Sequence, residues 1–259
     1  MTSIRFKDMM VETAGDGMPI VMLHGLGGTS NSWQALVPSL AGFRLIRPDL
    51  PGAGRSPTPG GKIDIVSLAQ ALARNLAELG VERAHIVGHS FGTLIAQHLA
   101  VMHPRLAASL ALFGPIIEPA DAARERLRAR AALARQEGMC TIADQVTPVS
   151  LAANAQQQSP VAFAFVRESH MRQDAEGFAK SCEALAGASG TDLAAIACPV
   201  LVVTGDQDGV GPPSVAQQLA ETVKQGSAVV LNDCGHWAPI EKPAECARLL
   251  NEFVRKIAI

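Results

Sequence analysis

Gly88-His89-Ser90-Phe91-Gly92 sets a serine between two glycines, after the apolar run AHIVG (84–88) and before a helical pattern at 91–102. Serine is a mediocre strand and helix former, so local stability does not explain it. A sharp strand–turn–helix junction would. It lifts a hydroxyl above a sheet and aims the free N–H groups of the next helix at any anion formed there. The plain alternative is a tight turn with a capping serine. The chemistry on offer is nucleophilic attack, which near pH 7 needs a base and an acid to orient that base.

Of the seven histidines, only His236, in CGHWAPIEKP, lies beyond the last strand-like run. His85 falls within a strand-like run, His98 and His103 on the helix after the serine, and His170 far from any strand. His89 adjoins Ser90 but should be turned away from it, and His24 belongs to a glycine loop. On turns of this kind the chain order is serine, acid, histidine. Asp208, in TGDQDGVGPP just after a strand-like run, fits the acid best; Asp206 and Glu118 are the competitors, and Asp233 is too close to His236 in sequence. Acyl transfer also needs donors for an oxyanion. The N–H of Phe91 is one, and that of Leu26, in HGLGG (24–28), is the other.

These groups need elements to hold them. Apolar runs at 20–23, 43–49, 84–88, 109–114, 199–205 and 228–231 alternate with helical patterns at 64–79, 91–102, 214–224 and 243–256. Runs without strict alternation fit strands buried on both faces, and the alternation itself predicts parallel βαβ units and a doubly wound α/β sheet. From 118 to 192 no strand-like run occurs. Charged and apolar helical patterns there, with breaks expected at Pro148 and Pro160, predict a helical cap inserted between two strands. The expected domains are a core of 1–117 and 193–259 and a cap of 118–192, with the ligand site beneath the cap.

The 259 residues are 48% hydrophobic and 18% charged, enough for a large core, and the formal charge of −2 gives no case for nucleic acid or an acidic membrane. No apolar run is long enough for a membrane span, and MTSIRFKDMM carries charge where a signal peptide needs an apolar stretch. Five scattered cysteines without a CxxC pair argue against a disulfide framework or zinc site and for a cytoplasmic protein. GLGGTS and PGAGRS lack the third glycine of a dinucleotide loop, and no GxxxxGK[ST] occurs. No metal or organic cofactor is expected, and self-association is left open.

HGLGG, DLPGAGRS (49–56), GHSFG, GDQD and GHW, in that order, resemble the α/β-hydrolase fold superfamily from about residue 18 to 256. The resemblance implies Ser90, Asp208 and His236 as a triad, Leu26 and Phe91 as oxyanion donors, and a helical cap. A serine rather than an aspartate nucleophile argues against haloalkane dehalogenase and epoxide hydrolase chemistry. GTSNSW (28–33), DAEGFAKSCEALAGAS and PVLVVTGDQD resemble 3-oxoadipate enol-lactonases and small carboxylesterases, which implies a small ester or lactone substrate. Candidate pocket walls are Trp33, Met139, Phe163, Phe165 and Trp237 beside Phe91. Arg135, Arg167 and Arg172 are candidates to meet a substrate carboxylate. C–C bond hydrolysis or perhydrolysis on the same triad, and a non-catalytic binding protein, are the alternatives.

Overall fold

The computed structural model describes residues 2–6 and 8–257. Its centre is an eight-stranded sheet of β1 (Thr2–Arg5), β2 (Met10–Ala14), β3 (Met18–Leu23), β4 (Phe43–Asp49), β5 (Ala84–His89), β6 (Ala107–Phe113), β7 (Val200–Gly205) and β8 (Gly226–Leu231). The spatial order is β1-β2-β4-β3-β5-β6-β7-β8. β1 and β2 are antiparallel; every pair from β4 to β8 is parallel.

Along β3 and β5 the side chains alternate between two cores. Val21, Leu23 and Ile86 face α1 (Ile65–Glu78), α2 (Phe91–Met102) and α8 (Pro213–Thr222). Ile20, Met22 and Val87 face the 3₁₀ segment Ser30–Leu40 and α10 (Pro243–Arg255). Each such aliphatic side chain contributes about 1.5–3 kcal/mol by leaving water. The apolar runs of the sequence are therefore the strands buried on both sides.

β1, β2 and the 3₁₀ segment escaped the sequence reading. β2 is short and carries Glu12, which reads as loop. In the sheet, Glu12 sits directly opposite Arg47 of β4 and pairs with it at 2.9 Å. A buried charge is tolerated only when paired in this way.

Between β6 and β7 the chain is helical: α3 (Asp121–Glu137), α4 (Met139–Ser150), α5 (Ala155–Gln158), α6 (Pro160–Met171) and α7 (Ala175–Ala186). Pro160 opens α6, where its missing N–H costs nothing. Pro148 lies inside α4, two residues before its end, so the expected break there is not found. All five cysteines are free: Cys140 on α4 is exposed, Cys198 is half-buried, and Cys182, Cys234 and Cys246 are buried. No helix among the described residues is long and apolar enough to cross a membrane.

Candidate active site

Ser90 joins β5 directly to α2 with φ 51° and ψ −116°. That backbone is strained for any residue with a side chain, at a cost of about 1–3 kcal/mol. Its neighbours hold it there. Ser90 N–H donates to Phe113 O at 2.9 Å, and Thr93 N–H donates to Ser90 O at 2.8 Å. The flanking glycines are steric necessities. A Cβ on Gly88 would lie 2.6 Å from Gly92 O, and one on Gly92 would run into the carbonyl oxygens of Leu23 and His24. The turn leaves the Ser90 side chain at the carboxyl edge of the sheet.

Two loops reach that edge from the other side. Asp208 follows β7, and His236 follows β8. His236 Nδ1–H faces both Asp208 oxygens at 2.9 and 3.0 Å, and His236 Nε2 accepts the Ser90 hydroxyl at 2.8 Å. This tautomer follows from the acceptors around the ring. Asp208 also accepts from the N–H groups of Val210 and Gly211, both at 2.8 Å, and from Thr204 Oγ1 at 3.1 Å. Burial alone would raise its pKa. The His236 ring and the two N–H donors outweigh that and hold the carboxyl well below the usual carboxylate range. Gly114, at φ 56° just past β6, leaves the space for this pair: a Cβ there would lie 2.9 Å from His236 Nδ1.

Beside Ser90, Phe91 is the first residue of α2, so its N–H has no partner within the helix. Leu26 lies in the loop after β3. His24 pins that loop: its Nδ1–H donates to Gly25 O and its Nε2 accepts Leu50 N–H, each at 2.9 Å. Burial lowers the His24 pKa and keeps the ring neutral. A cavity of about 10 Å³ lies against Leu26 and Phe91, walled also by Gln173, Phe178 and Ser181. A second, of about 520 Å³, lies between Thr29–Asn31, Arg55 and α6, and touches none of Ser90, His236 or Asp208. Among the described residues no cluster of His, Cys, Asp and Glu is placed to hold a metal ion.

A sequence model of the alpha/beta hydrolase fold matches residues 18–139 and 143–243. The chain belongs to the α/β-hydrolase fold family. Over its whole length it is similar to a solved thermophilic esterase from Thermogutta terrifontis, with 27% identity, a TM-score of 0.94 and all of both chains covered. It is similar to the enol-lactonase of Burkholderia xenovorans LB400, with 28% identity and a TM-score of 0.89 over 98% of this chain and 100% of that one. It is 28% identical to the 2-hydroxymuconate semialdehyde hydrolase of Pseudomonas sp. strain CF600, over 93% of this chain and 88% of the relative.

Several residues expected in the pocket of this α/β-hydrolase-fold chain lie elsewhere. Trp33 is fully buried against Phe113, with ring centroids 5.9 Å apart, in the core on the 3₁₀ side of the sheet. Met139 is buried in the opposite core with Leu127 and Ile142 and lines neither cavity. Arg135 is spent on Glu176 and Glu183 of α7, and Arg167 on Asp144; all three pairs are on the surface. Arg172 pairs with Glu168 at the rim of the larger cavity, which Phe165 also lines. Phe163, Phe165 and Trp237 pack together with Leu151 and Val166. Asp206 accepts Cys234 N–H as a loop hydrogen bond, and Glu118 pairs with Arg124 and Gly190 N–H, so neither reaches His236.

Other residues at the site were either weighed and set aside in the sequence, as His89 and His170 were, or not noticed there. His89 Nε2–H donates to His236 O at 2.8 Å, and burial pushes its pKa down to about 3. On α6, Ser169 Oγ and Gln173 Nε2 donate to Gly27 O at 2.6 and 3.2 Å and fasten the insertion to the Leu26 loop. His170, its pKa lowered by burial to about 4, packs between Trp237 and Phe178. Glu241, in α9 (Ala238–Glu241), accepts N–H donors from either side of His236. The one signal for it was an acidic residue in the short apolar stretch APIE.

Proposed function

We propose that the protein is a serine hydrolase of small carboxylic esters or lactones, working through an acyl-enzyme on Ser90 under a helical cap. The observation that carries this reading is the continuous chain Asp208–His236–Ser90, with contacts of 2.8 to 3.0 Å. His236 Nε2 takes the Ser90 proton as Oγ attacks the carbonyl. The oxyanion falls to the Leu26 and Phe91 N–H groups, each such donor contributing about 3 kcal/mol. The imidazolium then passes its proton to the leaving alkoxide. A water activated by the same nitrogen cleaves the acyl-enzyme. Asp208 holds the tautomer and the charge of the ring throughout and is not itself protonated.

The residues around the small cavity include no cationic side chain, which suits an uncharged acyl group once the site opens. Its lining offers Leu26, Leu50, Phe91, Phe178, Gln173 and Ser181, with no lysine or arginine. Arg135, Arg167 and Arg172 of the insertion are each paired with carboxylates outside that lining. On that ground we rank an ester or lactone ahead of C–C bond hydrolysis on the same triad, the alternative to which a relative named 2-hydroxymuconate semialdehyde hydrolase draws attention. Initial rates on short p-nitrophenyl esters and small lactones, wild type beside Ser90→Ala, test the proposal. Turnover that vanishes in the variant supports it. A wild type inert on the whole panel, or a variant equal to it, moves C–C hydrolysis or a non-catalytic binding role ahead.

A further inference from the structure

Every main-chain N–H from 235 to 237 ends either on the helical insertion or on the carboxylate that grips it. His236 N–H donates to Ser150 O at 2.9 Å. Gly235 N–H donates to Glu241 Oε2 at 3.0 Å and Trp237 N–H to Glu241 Oε1 at 3.0 Å. The same Oε2 accepts Ala152 N–H, from the loop after α4, at 2.7 Å. One carboxylate thus joins both peptide groups flanking His236 to the segment Ser150–Ala152. The packing is tight as well: a Cβ on Gly235 would lie 2.5 Å from Ala152 N.

The cavity beside the Leu26 and Phe91 amides, at about 10 Å³, holds no more than a water. Room for a substrate carbonyl in that cavity requires its walls from the insertion, Gln173, Phe178 and Ser181, to shift. If Ser150–Ala152 shifts with them, His236 N–H loses its acceptor and Glu241 loses one of its donors. A misplacement of about 1 Å in a reacting group costs about a hundredfold in rate.

We infer that Glu241 is a positioning residue that couples the seating of Ser150–Ala152 to the placement of His236, so that the base is aligned on Ser90 only when the insertion is docked. The inference rests on the serine-hydrolase reading above. It makes insertion closure and nucleophile activation one event.

Glu241→Gln keeps the shape but sets an NH₂ group where Oε2 receives two N–H donors, or else removes the acceptor for Trp237. Gln207→Ala is the comparison. Gln207 Oε1 accepts Ala153 N–H at 2.8 Å, so its loss loosens the same segment but leaves Glu241 and its donors paired. Three readouts apply: kcat and KM on the best short ester, the rate at which a small organophosphonate modifies Ser90, and amide hydrogen exchange in the wild type. The expected result is that E241Q loses about tenfold or more in both kcat and phosphonylation rate. Q207A alters KM and leaves kcat within about twofold. Wild-type amides at 150–153 and 235–237 exchange at a common rate and slow together on phosphonylation.

The inference is overturned if E241Q matches the wild type, if Q207A lowers kcat as much as E241Q does, or if the two wild-type segments exchange independently. The exchange measurement decides alone should E241Q fail to fold. A wild type inert to both ester and phosphonate would instead overturn the serine-hydrolase reading, a result plainly different from an E241Q that is as fast as wild type.

Discussion

At the carboxyl edge of the sheet, Ser90 is fixed by main-chain hydrogen bonds to Phe113 and from Thr93, and Asp208 by the N–H groups of Val210 and Gly211. In the insertion, Arg135 ties α3 to α7 through Glu176 and Glu183, and Arg167 ties α6 to α4 through Asp144, all at the surface. The first kind of support is buried and made of backbone, so few side-chain changes can improve or replace it. The second is exposed, screened by solvent and readily replaced. A fold built in this way keeps its reacting groups fixed while the insertion above them stays free to vary. Substitutions on the two sides should therefore differ by orders of magnitude in their effect.

Removing the charge from Asp208 should break the chemistry without breaking the fold. Asp208→Asn is expected to lose about 10⁴-fold in kcat, because the amide favours the wrong imidazole tautomer. Steady-state rates with a circular dichroism control check this, and a loss under tenfold would refute the assigned role. Gly92→Ala acts on the backbone support itself. Its Cβ meets the Leu23 and His24 carbonyls, and it should destabilise the protein by about 3 kcal/mol, read by urea unfolding. An alanine tolerated there without loss would show that the turn is less confined than described.

Acid should expose the next difference. Burial lowers the pKa of His24, His85, His89 and His170, to about 4 for His85 and His170 and about 3 for His89. A group with a depressed folded pKa contributes its full stability above the unfolded value, about 6.5, and loses it as pH falls towards the folded value. Each such histidine adds a slope of about 1.4 kcal/mol per pH unit inside that window. Thermal midpoints should therefore drop between pH 7 and 5, before the carboxylates titrate. His170→Gln should flatten the fall by one proton, and a midpoint independent of pH over that range would rule the account out. The smallest effect belongs to the surface of the insertion. Arg135→Ala should lower Tm by no more than about 2 °C and leave kcat unchanged.

What could be read from sequence divides along the same line. Ser90, Asp208 and His236 sit in short stretches whose glycines and turn residues reveal the backbone they require, and the structure brings all three side chains together. The parallel strands were legible because they are apolar throughout. β2 was not, since its Glu12 looks solvated until Arg47 lies opposite it. The pocket was the least legible part. Trp33 and Met139 face cores, and Arg135 and Arg167 find carboxylates distant in sequence. Aromatic and cationic residue types do not announce which side of an element they occupy. Glu241 was missed for a related reason: its partners are peptide N–H groups, which leave no mark on composition.

The cysteines give this molecule a ready-made handle. Burial raises the thiol pKa of Cys182 to about 12 and of Cys198 to about 11, and raises those of Cys234 and Cys246 as well. Thiolate is the reactive form, so these four are poor targets near neutral pH. Cys140 alone is exposed, and it rides on α4, the helix that leads into the segment gripped by Glu241. A maleimide dye should therefore label the native chain at one position without any engineered cysteine. Its fluorescence would then report the opening and closing of the insertion in real time.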